Sequence, residues 1–355
     1  MIRLLKEIDF LLVIPALLLS SLGLLLIFST SFESDPSFFV RQSIYIIFSL
    51  TVFLIISRFD FKTISHLSWV LYVILIAGLI VTFLIGVEVR GSTRWIDLGF
   101  VTLQGSELAK PILILTLASF FARYPPSKLK YFLISIALLA IPLLLILRQP
   151  DLSNSLILFS TWVFIVFISG AALIYLFILS GILLFGAPFT WNFFLKAYQK
   201  ARILTFFNPN LDPQGASYNV VQALIALGSG QLTGRGIGRG TQSQLDFLPE
   251  GRTDFIFSVA GEELGFIGLS LILVIFALLI YRIIKIASTL KTVDGILFSY
   301  GAAFLLSVQF FINAAMNMGI FPVSGVTLPF VSFGGSSITS MFILIGIVQS
   351  AKNSK

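Results

Sequence analysis

Asp254 combines a side chain suited to acid–base chemistry with a costly position, beside a long apolar run. A charged side chain at membrane depth costs at least about 2.5–3.5 kcal/mol, so one that persists is expected to have a function. On a continuous helix, Ser258, Gly261 and Gly265 would lie within about 40° of Asp254. This stripe predicts that the carboxylate faces a closely packed neighbour or a cavity. A capping carboxylate beside Arg252 is the structural alternative.

A second group of charged and aromatic residues precedes the fourth apolar run. It contains Arg94, Trp95 and Asp97, followed by Glu107 and Lys110. Glu107 and Lys110 are three residues apart, so they are neighbours on a helix and can neutralise each other in a low dielectric. A purely structural ion pair is the alternative for these two residues. Trp95 is equally suited to anchoring the chain at a membrane interface.

Glycine and arginine alternate between Gly228 and Gly240, with Arg235 and Arg239 among the glycines. Repeated glycines let backbone N–H groups converge on phosphate oxygens, and arginines add charge-assisted hydrogen bonds. The segment lacks the Gly-Lys-Ser/Thr of a nucleotide P-loop. It therefore predicts an anion site of another kind, with a flexible loop as the alternative.

Two further polar segments interrupt apolar runs. Asp151 follows Pro150, which predicts an acidic helix start whose carboxylate is either a cap or a functional group. Prolines 322 and 329 bracket Gly325, and Ser336 follows a Gly-Gly pair at the start of the last run. These breaks predict either a segment that lines a cavity or tight helix packing.

The elements that must position these residues are membrane helices. Of the 355 residues, 57% are hydrophobic and 11% are charged, with a mean hydropathy of +1.02, which excludes an ordinary soluble domain. The sequence predicts an all-α integral membrane protein of about ten transmembrane helices. The apolar runs fall at about 9–29, 38–57, 64–87, 107–122, 130–147, 152–169, 171–189, 255–281, 294–318 and 329–350.

Charge in the short loops predicts the orientation of the chain. Basic residues concentrate in alternate loops, and the positive-inside rule then places both termini in the cytoplasm. Residues 190–253 become a large extracytoplasmic loop between helices 7 and 8, within a single polytopic domain spanning 1–355. The prediction depends on a break at Ser169 and Gly170, because a single helix across this point would reverse the membrane orientation of every later helix. The loop residues used are Arg3, Lys6, Arg58, Lys62, Arg123, Lys128, Lys130, Arg282, Lys285, Lys291, Lys352 and Lys355 on one side, and Glu33, Asp35, Glu88 and Asp97 on the other.

Composition also limits the chemistry and the partners. The chain has no cysteine, so disulfides and thiolate catalysis are excluded. Its net charge of +7 fits cytoplasmic anchoring and anionic lipid, and nucleic acid is not expected as a partner.

An ordered set of motifs along almost the whole chain resembles the SEDS family (RodA/FtsW/SpoVE). The resemblance implies a ten-helix protein of the bacterial cytoplasmic membrane that polymerises lipid II as a peptidoglycan glycosyltransferase, with a class B penicillin-binding protein as its partner. The short tails look more like the elongation members than the division members. The motifs are Arg94-Trp95-Ile96, Gln104-Gly-Ser-Glu107-Leu-Ala-Lys110-Pro111, Gln149-Pro-Asp151-Leu152, Gly228-Ser-Gly230, Thr241-Gln242, Phe247-Leu-Pro-Glu250, Thr253-Asp-Phe-Ile-Phe257, Gly261-Glu-Glu-Leu-Gly265 and Pro322 through Ser337.

The resemblance also implies roles at a reaction centre. Joining an α-linked sugar diphosphate into a β-1,4 bond is an inverting transfer, which needs one general base and positive charge for the departing diphosphate. Asp254 is the expected base, and a divalent cation, Mg²⁺ or Mn²⁺, is an expected but uncertain cofactor. A lipid II flippase, a noncatalytic scaffold and a division role are the competing interpretations. The expected substrate-binding residues are Arg94, Trp95, Glu107, Lys110, Asp151, Arg235, Arg239 and Ser336.

Overall fold

The computed structural model describes residues 8–32, 35–89, 92–97, 102–193, 195–208, 215–245 and 247–354. Arg3, Lys6, Glu33 and Lys355, used above to predict orientation, lie outside these ranges. The helices are α1 (Phe10–Ser31), α2 (Ser37–Ile56), α3 (Phe61–His66), α4 (Ser68–Ile85), α5 (Gly105–Arg123), α6 (Leu129–Arg148), α7 (Leu152–Ile168), α8 (Leu173–Phe193), α9 (Ala197–Phe207), α10 (Ala216–Ser229), α11 (Thr241–Gln244), α12 (Ile256–Ala287), α13 (Val293–Asn317) and α14 (Gly335–Asn353).

Every apolar run predicted from the sequence contains a helix. Among the described residues, eight helices are long and apolar enough to cross a membrane: α1, α2, α4, α5, α6, α8, α12 and α13. The other two runs correspond to α7, which has 17 residues, and α14, which has 19 and is buried along most of its length. The protein is therefore a multi-pass helical membrane protein, and a total of ten spans stays a prediction.

The chain breaks between α7 and α8 at the predicted position. Gly170 adopts a left-handed conformation with φ of +85°. Its N–H donates to the Phe167 carbonyl, and the N–H of Ala171 donates to Val166. This pair of hydrogen bonds is a Schellman motif, which ends a helix because glycine tolerates positive φ. The two runs are separate helices.

A buried carboxylate holds the first and last helices together at one end of the bundle. Asp9 accepts hydrogen bonds from Arg282 at 2.9 Å and from Lys352 Nζ at 2.8 Å. Its own N–H donates to Gln349 at 2.9 Å. The start of α1 and the end of α14 therefore lie at the same end, as the predicted topology requires. Which side of a membrane this end faces stays a prediction.

The bundle has a buried centre and one peripheral helix. Most residues of α5 are buried, including a run from Leu113 to Phe121. In contrast, none of the described side chains of α8 is buried. One tie to its neighbours is the ring of Tyr175, 5.1 Å from the Phe132 ring.

A small antiparallel sheet follows α4, in the order β1 (Val87–Val89), β2 (Ser92–Asp97) and β3 (Thr102–Gln104). The all-α prediction was incomplete here, because strands of three to six residues are too short to produce a clear period-two pattern. In β2, Arg94 and Ile96 share one face, and Trp95 pairs with Gln104 of β3. The sheet fixes the direction of Arg94.

Several predicted boundaries also need correction. The run at 64–87 is two helices, α3 and α4, and the last helix begins at Gly335, not at 329. The long segment 190–253 contains α9, α10 and α11 among its described residues. Amphipathic helices in a connecting segment lack the long apolar run on which span prediction depends.

Candidate active site

Asp254 lies in a turn before α12. The helix begins at Ile256, with Phe255 as its N-cap residue, so Asp254 precedes the helix and is not its N-cap residue. Thr253 donates to the Glu250 carboxylate at 2.9 Å. The Asp254 side chain is half-buried, which leaves part of it accessible to a substrate.

Two buried amides hold the backbone of Asp254. The side-chain NH₂ groups of Asn313 and Asn317 donate to its carbonyl at 2.9 and 3.0 Å. Asn317 also accepts from the hydroxyl of Ser258 at 2.6 Å. Both asparagines are fully buried on α13, so they position the turn and do not contact bulk solvent. Their four-residue spacing was visible in the sequence, but their partner was not.

The Asp254 carboxylate lies beside a non-helical segment between α13 and α14. Gly325 has φ of +70°, and a Cβ atom there would lie 3.3 Å from Asp254 Oδ2. The adjacent carbonyl of Ser324 accepts a hydrogen bond from Ser153 at the start of α7. The predicted break around Gly325 is thus confirmed, and it connects α7 with the turn that carries Asp254.

Asp151 forms the centre of a buried polar network at the start of α7. Its Oδ2 accepts hydrogen bonds from Ser106 at 2.9 Å, Asn154 at 2.9 Å and Gln104 at 3.2 Å. Its Oδ1 accepts from the Asn154 N–H at 3.3 Å. The predicted cap is present, and the same carboxylate joins β3, α5 and α7. Asp151 is 3% exposed, so its carboxylate acts mainly on protein groups.

Arg94 contacts the junction between α6 and α7. Its Nε donates to the Gln149 carbonyl at 3.0 Å, and Nη2 donates to the Pro150 carbonyl. Nη1 lies 4.0 Å from Asp151 Oδ1. The Arg94 side chain is 24% exposed, so part of it remains accessible to solvent. Its neighbour Trp95 is also partly exposed.

Ser336 connects the same network to α14. Its hydroxyl accepts from the Gln104 N–H at 2.8 Å and donates to the Thr102 carbonyl at 2.9 Å. Gln104 in turn reaches Asp151. The structure therefore brings Arg94, Asp151 and Ser336 together, although they are far apart in the sequence.

Glu107 and Lys110 form a buried ion pair one turn into α5. The Lys110 ammonium lies 2.8 Å from both carboxylate oxygens of Glu107. Lys110 has no exposed side-chain surface, and Glu107 is 4% exposed. The predicted pairing is present. Because neither group reaches the surface, direct contact with a substrate is not supported by this geometry.

Arg235 and Arg239 lie on a different loop, between α10 and α11. Both side chains are exposed, and Arg235 donates to Thr241 at 3.1 Å. No described contact joins them to Arg94 or Asp254. They remain accessible to an anionic ligand from solution.

The backbone amides of this loop are used inside the protein, contrary to the predicted phosphate cradle. Gly265 interrupts α12 with φ of 67° and ψ of −167°. Carbonyl groups of the residues before Gly265 therefore lack hydrogen-bond donors within the helix, and N–H groups of the α10–α11 loop donate to them instead. The N–H groups of Arg235 and Gly236 donate to the carbonyls of Glu262 and Glu263 at 2.9 and 3.0 Å. The glycines permit this close backbone contact.

Glu262 and Glu263 hold the rest of the loop with their side chains. Glu262 accepts from the N–H groups of Gln242 and Ser243 at 2.9 and 3.0 Å. Glu263 accepts from the hydroxyl of Ser29 at 2.6 Å. Glu262 therefore faces α11 and Glu263 faces α1, and no described contact joins either carboxylate to the Asp254 turn.

The described residues contain no cluster of three or more His, Cys, Asp or Glu side chains that could hold a metal ion. Among these residues, a divalent cation would have at most two such side chains as ligands, and water and substrate phosphate would supply the others. Mg²⁺ is commonly bound in that way. Asp254 is one partly exposed carboxylate, and Glu250, four residues earlier, is another.

Fold and site together define a polytopic helical membrane protein with a positioned, partly exposed carboxylate at one end of the bundle. A family model described as "Cell cycle protein" (FTSW_RODA_SPOVE) matches residues 8–355. The chain belongs to this SEDS family.

Characterised relatives resemble the chain over nearly its full length. "Peptidoglycan glycosyltransferase MrdB" of Escherichia coli strain K12 is 38% identical over 342 residues, covering 95% of this chain and 92% of that protein. "Stage V sporulation protein E" of Bacillus subtilis is 34% identical over 352 residues, covering 96% and 95%.

Solved structures share the fold. One, described as "Structural coordination of polymerization and crosslinking by a peptidoglycan synthase complex", has a TM-score of 0.81 at 27% identity and covers 97% of both chains. The rod shape determining protein RodA of Thermus thermophilus has a TM-score of 0.71 at 26% identity, covering 97% of this chain and 96% of that one.

Proposed function

We propose that this chain is a peptidoglycan glycosyltransferase of the bacterial cytoplasmic membrane that polymerises lipid II into β-1,4-linked glycan strands. The observation that carries the proposal is the Asp254 turn, in which a partly exposed carboxylate is fixed through its backbone by two buried asparagines. Family membership and the names of the relatives support the same activity.

The reaction is an inverting transfer between two lipid-linked sugars. The oxygen of the acceptor 4-hydroxyl attacks the anomeric carbon of the donor, and the bond from that carbon to the diphosphate oxygen breaks. The Asp254 carboxylate takes the hydroxyl proton as general base. The electron pair leaves with undecaprenyl diphosphate, whose negative charge requires a positive environment.

The basic residues divide into two groups for this task. Arg235 and Arg239 are exposed and are suited to contact diphosphate or sugar. Arg94 donates to two backbone carbonyls, but part of its side chain is exposed and can donate to a further acceptor. Trp95 beside it offers an apolar face to a sugar ring. Asp151 and Ser336 both contact Gln104 and belong to the buried polar network beside Arg94, so we assign them a positioning role.

The buried pair of Glu107 and Lys110 lies on α5, the helix whose Ser106 donates to Asp151, and we assign the pair a structural role there. A divalent cation would supply further positive charge at the diphosphate.

A class B penicillin-binding protein is the proposed partner. The solved complex that shares this fold is described as coordinating polymerisation and crosslinking, and a polymerase needs a crosslinking enzyme to complete the wall. The similarity to MrdB and to RodA favours an elongation role, with division as the alternative because FtsW proteins match at similar identity.

The test compares wild type with Asp254→Asn, each purified with its partner and supplied with lipid II. Loss of a general base typically lowers the rate about 10²- to 10⁴-fold, so glycan product should nearly disappear. Asp60→Asn is the matched control, because Asp60 is an exposed acid that makes no capping hydrogen bond. Product from Asp254→Asn at the wild-type rate would remove Asp254 as the base. Absence of product from wild type would favour a flippase or a scaffold.

A further inference from the structure

A buried glutamine on α2, Gln42, faces the segment that leads into α14. Its side chain has no exposed surface, although most of α2 is not buried. A polar side chain inside a membrane helix is typically hydrogen-bonded to a neighbouring part of the protein. The partners of Gln42 therefore indicate what this side chain does.

Both ends of the Gln42 amide bond to the same short stretch of backbone. The side-chain NH₂ group donates to the Ser332 carbonyl at 3.3 Å, and the side-chain oxygen accepts from the Gly334 N–H at 3.2 Å. Residues 332–334 connect the non-helical segment after α13 to the start of α14. We call them the 332–334 segment. Gln42 holds this segment at two points.

Aromatic packing holds the same segment against the same face of α2. The ring centroids of Phe38 and Tyr45 lie 5.1 and 6.2 Å from that of Phe333. Phe38, Gln42 and Tyr45 have the spacing i, i+4 and i+7, which places them on one face of a helix. This face of α2 therefore combines apolar contacts with the two hydrogen bonds of Gln42.

The 332–334 segment in turn holds the backbone that leads to Asp254. The hydroxyl of Ser332 donates to the Thr253 carbonyl at 2.6 Å. The N–H of Phe333 donates to the Arg252 carbonyl at 2.9 Å. The two carbonyls immediately before Asp254 therefore both accept from the segment that Gln42 holds.

The turn that carries Asp254 is thus held from two sides. On one side, the side-chain amides of Asn313 and Asn317 bind the Asp254 carbonyl. On the other side, the 332–334 segment binds the two preceding carbonyls. Three consecutive carbonyls with protein donors fix the direction of the turn, and Gln42 is the group on α2 that supports the second side.

We infer that Gln42 is a positioning residue for the proposed base, acting through Ser332 and Thr253 on Asp254. The inference rests on the proposed function, because the position of Asp254 affects the rate only if Asp254 takes part in the reaction. Without the amide, the Ser332 carbonyl loses its donor inside the protein, and the 332–334 segment shifts to find another. A displaced base transfers a proton more slowly, whereas substrate binding is unchanged.

The test measures polymerisation of lipid II by Gln42→Met, purified with its partner, because methionine fills the site without bonding to it. We expect kcat to fall about three- to tenfold with KM unchanged. Ser49→Ala is the matched control, since Ser49 is also buried on α2 and bonds to α14, through Thr339 at 2.9 Å. It removes a contact between the same helices away from the 332–334 segment, so its kcat should stay at the wild-type value. Equal losses of kcat in both variants would overturn the inference.

Ser332→Ala keeps the inference testable if Gln42→Met folds poorly. It removes the hydroxyl that joins the 332–334 segment to Thr253 and leaves Gln42 in place. Its kcat should fall with KM unchanged, because the link from Gln42 to the Asp254 turn is broken at its second step. Wild-type kcat in a folded Ser332→Ala protein would contradict the inference.

Hydrogen exchange separates this inference from the proposed function, because it requires no reaction. In Gln42→Met, the N–H of Phe333 should exchange about tenfold faster, as its hydrogen bond to Arg252 opens more often, whereas Ser49→Ala should not change it. Unchanged exchange in Gln42→Met, with normal glycan synthesis, would refute the role of Gln42 and leave the glycosyltransferase standing. Absence of glycan from wild type would refute the glycosyltransferase and, with it, a role of Gln42 in catalysis, even if the exchange result is as expected.

Discussion

Asn317→Ala should slow catalysis although Asn317 touches no substrate. The side chain donates to the Asp254 carbonyl at 3.0 Å and accepts from the Ser258 hydroxyl at 2.6 Å, and it is fully buried. Its removal frees the turn that carries the proposed base. The Asp254 carbonyl keeps its hydrogen bond from Asn313, so the turn is loosened and not released.

The structure sets the size of both effects. Four neutral hydrogen bonds are lost, to the carbonyls of Asp254 and Asn313 and from the N–H and hydroxyl of Ser258. At about 1 kcal/mol each, their loss should lower the free energy of unfolding by about 4 kcal/mol. Displacing a catalytic group by about 1 Å lowers the reaction rate about 10²-fold. Because the Asn313 side-chain amide still holds the Asp254 carbonyl, we expect kcat to fall only about tenfold.

The assay measures glycan synthesis from lipid II together with thermal unfolding in detergent. Asp254 acts in the transition state, so kcat should fall while KM stays the same. Asn192→Ala is the matched control, because Asn192 is exposed and its side chain donates to the Pro188 carbonyl of its own helix. A folded Asn317→Ala protein with wild-type kcat would refute the positioning role. A rise in KM alone would show that Asn317 supports binding instead.

Three further predictions concern stability. Lys110→Met should destabilise the protein by about 3–5 kcal/mol by stranding the buried Glu107 carboxylate, and adding Glu107→Leu should restore much of the loss, as thermal unfolding would show. Burial opposes ionisation of Asp9, but hydrogen bonds and charges from Arg282 and Lys352 outweigh this and lower the pKa of Asp9 below its ordinary value. The stability that this carboxylate contributes is therefore complete above the ordinary pKa and is lost as the pH falls through the lowered one. Asp9→Asn should flatten the acid side of the profile of stability against pH. Gly265→Ala should lower the free energy of unfolding by more than about 2 kcal/mol. The φ and ψ angles of Gly265 suit glycine alone, and a Cβ atom there would collide with the backbone of the α10–α11 loop.

Each of these has an outcome that would contradict it. A double variant no more stable than Lys110→Met would show that packing, not charge, explains the loss. An unchanged acid limb in Asp9→Asn would assign acid unfolding to other carboxylates. Gly78→Ala is the control for Gly265, because nothing lies within 4 Å of a Cβ at Gly78 and a helical glycine is normally improved by alanine; equal effects at both positions would refute the collision.

The regular elements were largely predictable because local patterns determine them. Apolar runs long enough to cross a bilayer as helices predicted the spanning helices. Gly170 predicted the break that separates α7 from α8. The pairing of Glu107 with Lys110 also followed from spacing alone, since residues three apart meet on any helix. The short strands around Arg94 were missed, because a few residues do not establish a period.

The roles of polar residues were less predictable, because their partners come from distant parts of the chain. The glycine-rich loop suggested a phosphate cradle, yet its amides bind the backbone freed by Gly265 in α12. A glycine with positive φ inside an apolar run cannot be recognised from a hydrophobic pattern that assumes a continuous helix. Asn313 and Asn317 showed a helical spacing, but nothing in the sequence indicated that both reach the Asp254 carbonyl.

The sequence by itself determined the class of protein, the approximate helices and the family motifs, since hydrophobicity and motif order are properties of the chain. Only the tertiary structure decided which polar groups meet. It joined Arg94, Asp151 and Ser336 across about 240 residues of sequence, buried Lys110, and left Asp254 partly open beside Gly325. The physical reason is that a buried polar group must find a partner, and in a helical bundle the available partners lie on neighbouring helices, whose order in space differs from their order in the chain.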